Sequence, residues 1–415
     1  AIFLYESSND ADKIIFWARF PLILLTILLG FIIFSWTKKR FGENTALLAL
    51  ILYAFSPTVL AHGRYVTTDL GAAFGFFIGL LAFLKFLEKP VWKNVLLLGV
   101  ALGTTMLLKF SLVLLLPVFL IVILARAKEF FKLIGKLFIA GLLGIIIIWG
   151  VYYFFNYNYP QTKQLADAES TLASYPNKAL AGLDLWLIKN SATRHLGQYF
   201  LGFLMVSQRA GGGNTGYFLG EVSASGWWYY FPILYLFKET LVLHILTLLA
   251  LILGFGKILK SKNSGAVVRV RSWIHGHLPE FCSLVFIVVY WASSLASPLN
   301  IGIRHVLPTF PFINILVSKQ ITEWLKSKNL KVKSPAVAIL VALMVAGTLK
   351  SFPNFLSYYN KLAGGTNNGY KIAVDSNYDW GQDLKRLKDW MDKNLPAGRQ
   401  VAVDYFGGGN LKYYL

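Results

Sequence analysis

Long apolar runs alternate with short polar connections along most of this chain. Most runs approach the ~20 residues that an α-helix needs to cross a bilayer, and they lack the alternation of barrel strands. Only helices and closed barrels satisfy their backbone groups in lipid. The pattern therefore predicts an all-α polytopic membrane protein with about ten transmembrane helices. The predicted runs are 14–35, 44–60, 67–87, 94–108, 110–125, 133–155, 228–256, 280–297, 303–320 and 335–352.

The runs divide the chain into a transmembrane domain, 1–352, and a polar tail, 353–415. In the tail, Leu384–Met391 has helical spacing and Val401–Phe406 has the composition of a strand. We therefore expect the tail to be a small external α/β unit.

A segment of mixed polarity, 156–227, follows the sixth run. Loops of this length usually have structure or function of their own. Its stretches Leu180–Leu187 and Leu196–Val206 are amphipathic, so they are predicted to lie along the membrane surface.

The 415 residues include 40 Lys and Arg against 20 Asp and Glu, a net charge of +20. Such a charge can indicate nucleic-acid binding. Here, however, the basic residues cluster between alternate runs, which is the positive-inside pattern. We therefore expect no nucleic-acid partner and assign the clusters to the cytoplasm. They are Lys38–Arg40; Lys85, Lys89 and Lys93; Arg126, Lys128, Lys132 and Lys136; Lys257, Lys260, Lys262, Arg269 and Arg271; and Lys326, Lys328, Lys331 and Lys333.

The same topology places residues 1–13 outside the membrane, although the chain begins at Ala1 without a methionine. At least one preceding helix would be needed, so we expect an N-terminally truncated fragment.

Cys282 is the single cysteine, which excludes a disulfide within the chain. No signal peptide is recognisable.

Ionisable residues gather at the predicted outer ends of the runs, where such groups usually contact a substrate, an ion or water. His62, Arg64 and Asp69 lie within eight positions. Capping of the next helix by Thr67, Thr68 or Asp69 would explain one of these residues. It does not explain Arg64 or His62.

Four more cationic or titratable residues lie at the same predicted face. Lys109 separates two runs, as a snorkelling lysine or a site residue. Arg304 and His305 lie at the start of a predicted helix, where a cation interacts unfavourably with the helix dipole. A bound anion would offset this unfavourable interaction. Interfacial anchoring is the alternative. Lys238 follows Trp227–Pro232, an aromatic belt, and could face a cavity.

Arginine and lysine together suit a lipid phosphate, because Arg offers a planar fork and Lys a point charge. An aspartate beside them can orient an acceptor, accept its proton or hold a divalent cation. These residues do not decide whether a metal ion is required.

The tail segment Asp375–Asp383 begins like a calcium loop, but its glycine and final residue do not fit. It is better explained as a cap for a helix from about Gly381.

These residues resemble glycosyltransferase family 39, the protein-mannosyltransferase-like enzymes with the GT-C fold. The similarity runs from about Trp17 to the end of the chain. Single motifs are weak, and their order across the chain is the specific feature. The motifs are Ser56-Pro57-Thr58, Ala61-His62-Gly63-Arg64, Thr68-Asp69, Leu108-Lys109-Phe110, Gly226–Pro232 with Lys238, Arg304–Pro308 with Pro311, Tyr359-Asn360, Ala363–Gly365, Asp375–Asn377 and Asp379–Leu384.

The resemblance implies sugar transfer, with inversion, from a polyprenyl-phosphate donor to a protein, lipid or glycan acceptor. It implies an active site on the outer face of a bacterial-type plasma membrane. In the family a key acid lies on the first outer loop, which is expected to precede residue 1 here. Asp69 matches the second acidic position, which helps to shape the site, and it is the predicted catalytic residue of this chain. His62, Arg64, Lys109, Lys238, Arg304 and His305 become candidates for contacts with donor phosphate or substrate.

Two other classes of protein stay open. A transporter or lipid flippase would carry polar residues and broken helices near the bilayer midplane. The runs hold few charges at mid-span, which favours the enzyme. A non-catalytic membrane assembly subunit is the third possibility.

Overall fold

The computed structural model describes residues 2–126, 129–260, 266–326, 330–396 and 398–415. Within them the chain is almost entirely helical, as predicted. Lys128, Lys262 and Lys328 of the predicted basic clusters lie outside the described residues.

The helices are α1 (Ile2–Tyr5), α2 (Ala11–Phe41), α3 (Glu43–Ala54), α4 (Pro57–His62), α5 (Thr68–Glu88), α6 (Trp92–Met106), α7 (Leu115–Ala125), α8 (Phe130–Phe155), α9 (Gln161–Leu172), α10 (Lys178–Lys189), α11 (Arg194–Gly211), α12 (Tyr230–Lys238), α13 (Leu241–Lys260), α14 (Ala266–Gly276), α15 (Leu278–Ala296), α16 (Phe310–Leu325), α17 (Leu330–Lys350), α18 (Leu384–Asn394) and α19 (Leu411–Tyr414). Short 3₁₀ segments are Phe110–Leu114, Ile303–Thr309, Lys361–Ala363, Thr366–Lys371 and Asp375–Asn377. Strands β1 (Gly216–Phe218) and β2 (Glu221–Ser223) form an antiparallel hairpin.

Five helices in the described ranges are long and apolar enough to cross a membrane, or six if the bent pair α12–α13 is one span. They are Ala11–Phe41, Thr68–Glu88, Phe130–Phe155, Leu278–Ala296 and Lys333–Lys350. The chain is therefore an integral membrane protein. The run 94–108 forms one shorter helix, α6, and the runs 44–60, 110–125, 228–256 and 303–320 are interrupted by breaks in the backbone.

The break inside the run 228–256 bends the chain sharply. α12 and α13 meet at 113°. Between them, Glu239 is fully buried, and its Oε1 accepts a hydrogen bond from Ser56 Oγ at 3.0 Å. Ser56 also caps α4 by accepting from the backbone N–H of Val59. One hydroxyl thus ties together the breaks in two apolar runs.

Helix α5 lies at the centre of the transmembrane core, and most of its length is buried. Phe83 stacks on Phe119 of α7 with ring centroids 3.8 Å apart. Phe76 packs against Phe286 of α15 at 5.0 Å. Lipid tails are as apolar as these side chains, so close packing rather than exclusion from water holds such helices together.

Helices α6 and α8 pack closely against each other at glycines. A Cβ added at Gly103 would lie 2.8 Å from Ile147 Cβ and 2.9 Å from the carbonyl oxygen of Gly144. A Cβ at Gly99 would lie 2.9 Å from the carbonyl oxygen of Ala140. Small residues at both positions let the two backbones approach, as in other transmembrane helix pairs.

The segment 156–227 forms a helical subdomain and the β-hairpin. Buried apolar residues of α9, α10 and α11 pack on one another, and α11 also packs on α8. Leu180, Leu183 and Trp186 of α10 are exposed, with Trp186 61% exposed. This apolar face suits the predicted position at a membrane surface, which stays a prediction.

The tail contains the predicted helix as α18, but the predicted strand Val401–Phe406 is wrong. Its backbone is irregular. Tyr405 Oη donates to the carbonyl oxygen of Gly381 at 2.8 Å, which fixes the segment through a side chain. A strand needs a partner edge, and the described tail offers one only as an isolated bridge between Ala373 and Phe218 of the hairpin.

We expect Gly103→Ala to destabilise the protein, whereas Gly150→Ala should leave its stability unchanged or slightly raised, because alanine has the higher helix propensity. The added methyl group at Gly103 meets backbone atoms of α8, which should cost about 1–3 kcal/mol. Gly150 is exposed on α8 with no atom within 4 Å of an added Cβ. The apparent melting temperature in detergent micelles measures the difference. Equal melting temperatures would contradict the close-packing interpretation.

The buried carboxyl group of Asp184 should make stability depend on pH. Asp184 is fully buried, and both oxygens lack a hydrogen-bond partner in the described ranges. Burial raises the pKa of Asp184 from 3.8 to about 7. The folded state therefore binds a proton more tightly than the unfolded chain, and stability should fall as pH rises from about 4 to about 7.

Asp184→Asn should remove this loss, because the amide stays neutral at every pH. The variant should melt higher than the unsubstituted protein at pH 8 and similarly at pH 4. Asp389→Asn, at an exposed position of α18, is the matched control. A pH profile of the melting temperature that is identical in both variants would refute the assignment.

Candidate active site

Asp69 is bound by two cations from distant parts of the chain. Its Oδ1 accepts a hydrogen bond from Lys109 Nζ at 2.6 Å, and its Oδ2 lies 3.5 Å from Arg304 Nη1. The Asp69 side chain is 5% exposed, Arg304 14% and Lys109 20%. The three residues form a largely buried ion cluster with an excess positive charge.

Breaks between helices hold these side chains in place. Asp69 lies in the first turn of α5, where a helix N-terminus favours an anion. Lys109 lies in extended backbone between α6 and the 3₁₀ segment Phe110–Leu114. Thr67, the N-cap of α5, makes no side-chain cap bond, and Asp69 instead accepts from Lys109. Helix capping therefore does not account for Asp69.

Arg304 is held between the transmembrane domain and the tail. Gly302 precedes it with φ +136°, a conformation that side chains rarely adopt, and a Cβ there would lie 2.5 Å from Ser376 Oγ. The Arg304 guanidinium lies 4.5 Å from the ring centroid of Trp380. A cation over an indole face is attracted by the ring quadrupole. Trp380 therefore helps to fix the orientation of Arg304.

The tail segment around Asn377 docks this region by hydrogen bonds. Asn377 Oδ1 accepts from the backbone N–H of Ile303 at 3.0 Å, and its Nδ2 donates to Tyr230 Oη at 3.0 Å. Ser376 Oγ donates to the carbonyl oxygen of Ile301 at 2.6 Å. The predicted cap role for this segment is wrong, because the helix begins at Leu384 and Asp383 makes no side-chain cap bond.

Lys238 belongs to the same docking interface. It is 2% exposed, and its Nζ donates to the carbonyl oxygens of Leu356 at 2.6 Å and Asn377 at 2.7 Å. It also lies 4.4 Å from the ring centroid of Tyr359. Lys238 therefore binds the tail through these contacts, and it acts as a positioning residue for the segment that contacts Arg304.

Arg64 joins the cluster through two aromatic rings. Its Nη2 donates to Tyr65 Oη at 3.2 Å. The Tyr65 ring packs edge-on against Trp380 with centroids 5.6 Å apart. Arg64, Tyr65, Trp380 and Arg304 therefore form a continuous set of contacts beside Asp69.

The two predicted histidines lie close to this set, His62 buried and His305 partly buried. His62 is 1% exposed, and neither ring nitrogen has a hydrogen-bond partner among the described residues. Burial lowers the pKa of His62 to about 3, so the ring is neutral at pH 7. The His305 ring packs near Phe231, and its backbone carbonyl accepts from Tyr290 Oη at 2.7 Å.

Three residues of this region were missed by sequence reasoning. Tyr65 follows Arg64 directly, and Trp380 lies in a motif that was interpreted as a cap. Glu239 is a carboxylate inside an apolar run, and such residues usually mark a function. The position of this charged residue inside an apolar run could have identified Glu239 from the sequence.

The donor set does not fit a divalent cation. Among the residues that the structure describes, no three His, Cys, Asp or Glu side chains form a metal-binding group. Hard cations need several oxygen ligands, whereas both oxygens of Asp69 already face ammonium or guanidinium groups.

No curated protein and no solved structure matches the chain. Residues 11–154, about a third of the chain, match the family model described as dolichyl-phosphate-mannose-protein mannosyltransferase. This segment includes Asp69 and Lys109 but not Arg304. The match confirms the resemblance to glycosyltransferase family 39 and supports a membrane glycosyltransferase of the mannosyltransferase type.

Proposed function

We propose that this protein transfers a sugar from a polyprenyl-phosphate donor to an acceptor at the outer face of the membrane, with inversion at the anomeric carbon. The observation that carries the proposal is the buried cluster of Asp69, Lys109 and Arg304. The family match supports the reaction class. The positive-inside distribution of basic residues supports the outer face.

The charge of the cluster suits the charge that develops during transfer. The acceptor oxygen forms a bond to the anomeric carbon, and the bond from that carbon to the phosphate oxygen breaks. The donor phosphodiester carries one negative charge, and the departing polyprenyl phosphate gains a second. Preorganised cations in a site of low dielectric stabilise that added charge in the transition state.

Lys109 and Arg304 are the proposed phosphate ligands, and Asp69 holds them in place. Arg304 Nε is buried without a partner among the described residues, so this guanidinium keeps a donor for a ligand. Arg64 Nε is likewise without a partner in the described ranges. His62 and His305 line the same region as neutral or packing residues.

Inversion requires the acceptor to attack from the face opposite the phosphate. The group that removes the acceptor proton then lies across the sugar from Lys109 and Arg304. Asp69 lies on the phosphate side with both oxygens engaged. We therefore propose Asp69 as the counter-ion of the phosphate site and assign the proton to a base on the other side of the sugar.

A transporter or flippase is the second candidate, because α12 and α13 form a broken helix. Lys238 at this break, however, donates to two tail carbonyls, which puts the break at the tail-facing end of the bundle. Transport without sugar transfer by the full-length protein would favour this candidate. Absence of both transport and sugar transfer would favour an assembly subunit. Protein, lipid and glycan acceptors are all compatible with the proposal.

Arg304→Ala and Asp69→Asn should each lower transfer. Loss of one stabilising donor typically lowers kcat by about 10²–10³-fold, and Asp69→Asn leaves two partly buried cations without their counter-ion. Transfer from radiolabelled polyprenyl-phosphate sugars by full-length protein measures the effect. Arg399→Ala, at an exposed tail position, is the control. Unchanged transfer in both site variants, with normal size-exclusion profiles, would overturn the site.

Trp380→Ala should lower kcat/KM by about three- to thirty-fold, because the guanidinium of Arg304 loses its stacking partner. Trp380→Phe should recover part of the loss, since it keeps an aromatic face. Trp390→Ala is the matched control, as Trp390 is 52% exposed on α18. Equal activity of the two alanine variants would show that Trp380 does not support the function of the site.

A further inference from the structure

A second group of cations surrounds a cavity at the opposite end of the bundle. The cavity has a volume of about 550 Å³. Its lining includes Lys39 and Arg40 from the end of α2, and Lys319 and Lys326 at the end of α16. At this end of α5, Glu88 follows Asp69 by 19 positions, about 29 Å of helix. That length matches the hydrocarbon thickness of a bilayer.

The ion pairs of the cavity leave two lysines available. Lys319 pairs with Glu323 at 3.2 Å and also with Glu280. Within the described ranges, Lys39 and Lys326 have no carboxylate partner, and both are exposed. The cavity therefore presents positive charge beyond what its own two carboxylates neutralise.

An apolar groove adjoins the cavity and shares Lys39 and Arg40 with it. The groove has a volume of about 480 Å³ between α2, α5 and α6, and its apolar lining includes Leu81 and Leu97. Arg40 pairs with Glu88 at 2.8 Å where the two cavities meet.

The groove extends along α5 from Glu88 to Ile78, which precedes it by ten positions. This is about 15 Å of helix, half the thickness of the hydrocarbon core. One leaflet has that depth. The groove therefore matches the reach of an acyl chain from its headgroup towards the bilayer centre.

We propose that the cavity and the groove together bind one anionic phospholipid. The phosphate of the headgroup contacts Lys39 and Lys326, Arg40 lies beside the glycerol backbone, and an acyl chain follows the groove over Leu97. Basic pockets between transmembrane helices bind anionic headgroups by this chemistry. The site is separate from the donor phosphate site at Asp69 and does not depend on the reaction proposed there.

Native mass spectrometry of the full-length protein, titrated with phosphatidylglycerol or phosphatidylcholine, tests this proposal. Phosphatidylglycerol should bind more tightly. The double variant Lys39→Gln/Lys326→Gln should bind it roughly tenfold more weakly, since each interfacial lysine adds attraction to an anionic lipid. Lys89→Gln/Lys93→Gln removes the same charge from exposed positions outside both cavities and should bind normally.

A variant of the groove separates a lipid from a free phosphate. Leu97→Asn places a polar group in the groove and should weaken phosphatidylglycerol binding. It should leave any binding of inorganic phosphate unchanged. Equal binding of the two lipids, or equal losses in the two double-lysine variants, would overturn the proposal. Undiminished lipid binding by Leu97→Asn would overturn the part of it that concerns the groove.

Discussion

The burial of one carboxylate between two cations is the constraint on which the site depends. Asp69 is 5% exposed and has an ammonium group at one oxygen and a guanidinium group at the other. A buried charge is costly unless it is paired. The Asp69 position therefore requires α5, the break before Phe110 and the segment at Arg304 to meet at one point.

The tail completes this arrangement, although it lies far from Asp69 in sequence. Trp380 covers the guanidinium of Arg304, and Asn377 fixes the backbone just before it. Lys238 secures the tail from the transmembrane side by bonds to two carbonyl oxygens. The orientation of Arg304 thus depends on the tail as well as on the helices, and loss of tail docking would disturb the proposed phosphate site without removing any of its cations.

The helical class was predictable from the sequence, because lipid imposes a local rule on every apolar run. Helix lengths were not, since the breaks depend on tertiary contacts such as Ser56 with Glu239. The strand predicted at Val401–Phe406 failed because its pattern had no partner edge. Topology and resemblance grouped Asp69, Lys109 and Arg304, but their pairing follows from the fold. The carbonyl partners of Lys238 lie 118 and 139 positions away, and no sequence pattern encodes them.

The ion pairs at the two ends of α5 differ in burial, and burial determines how strongly their charges interact. At Glu88 the pair with Arg40 is 41% exposed on both sides, so water and salt screen it and its energy is small. Cations in such a setting can hold a mobile headgroup. At Asp69 the same kinds of groups are largely withdrawn from water, so their mutual interactions are stronger. One carboxylate faces two cations there, and the proposed donor phosphate would add a second negative charge beside them. Desolvation thus gives the Asp69 end the stronger and better-ordered field, which is the property that transition-state stabilisation requires.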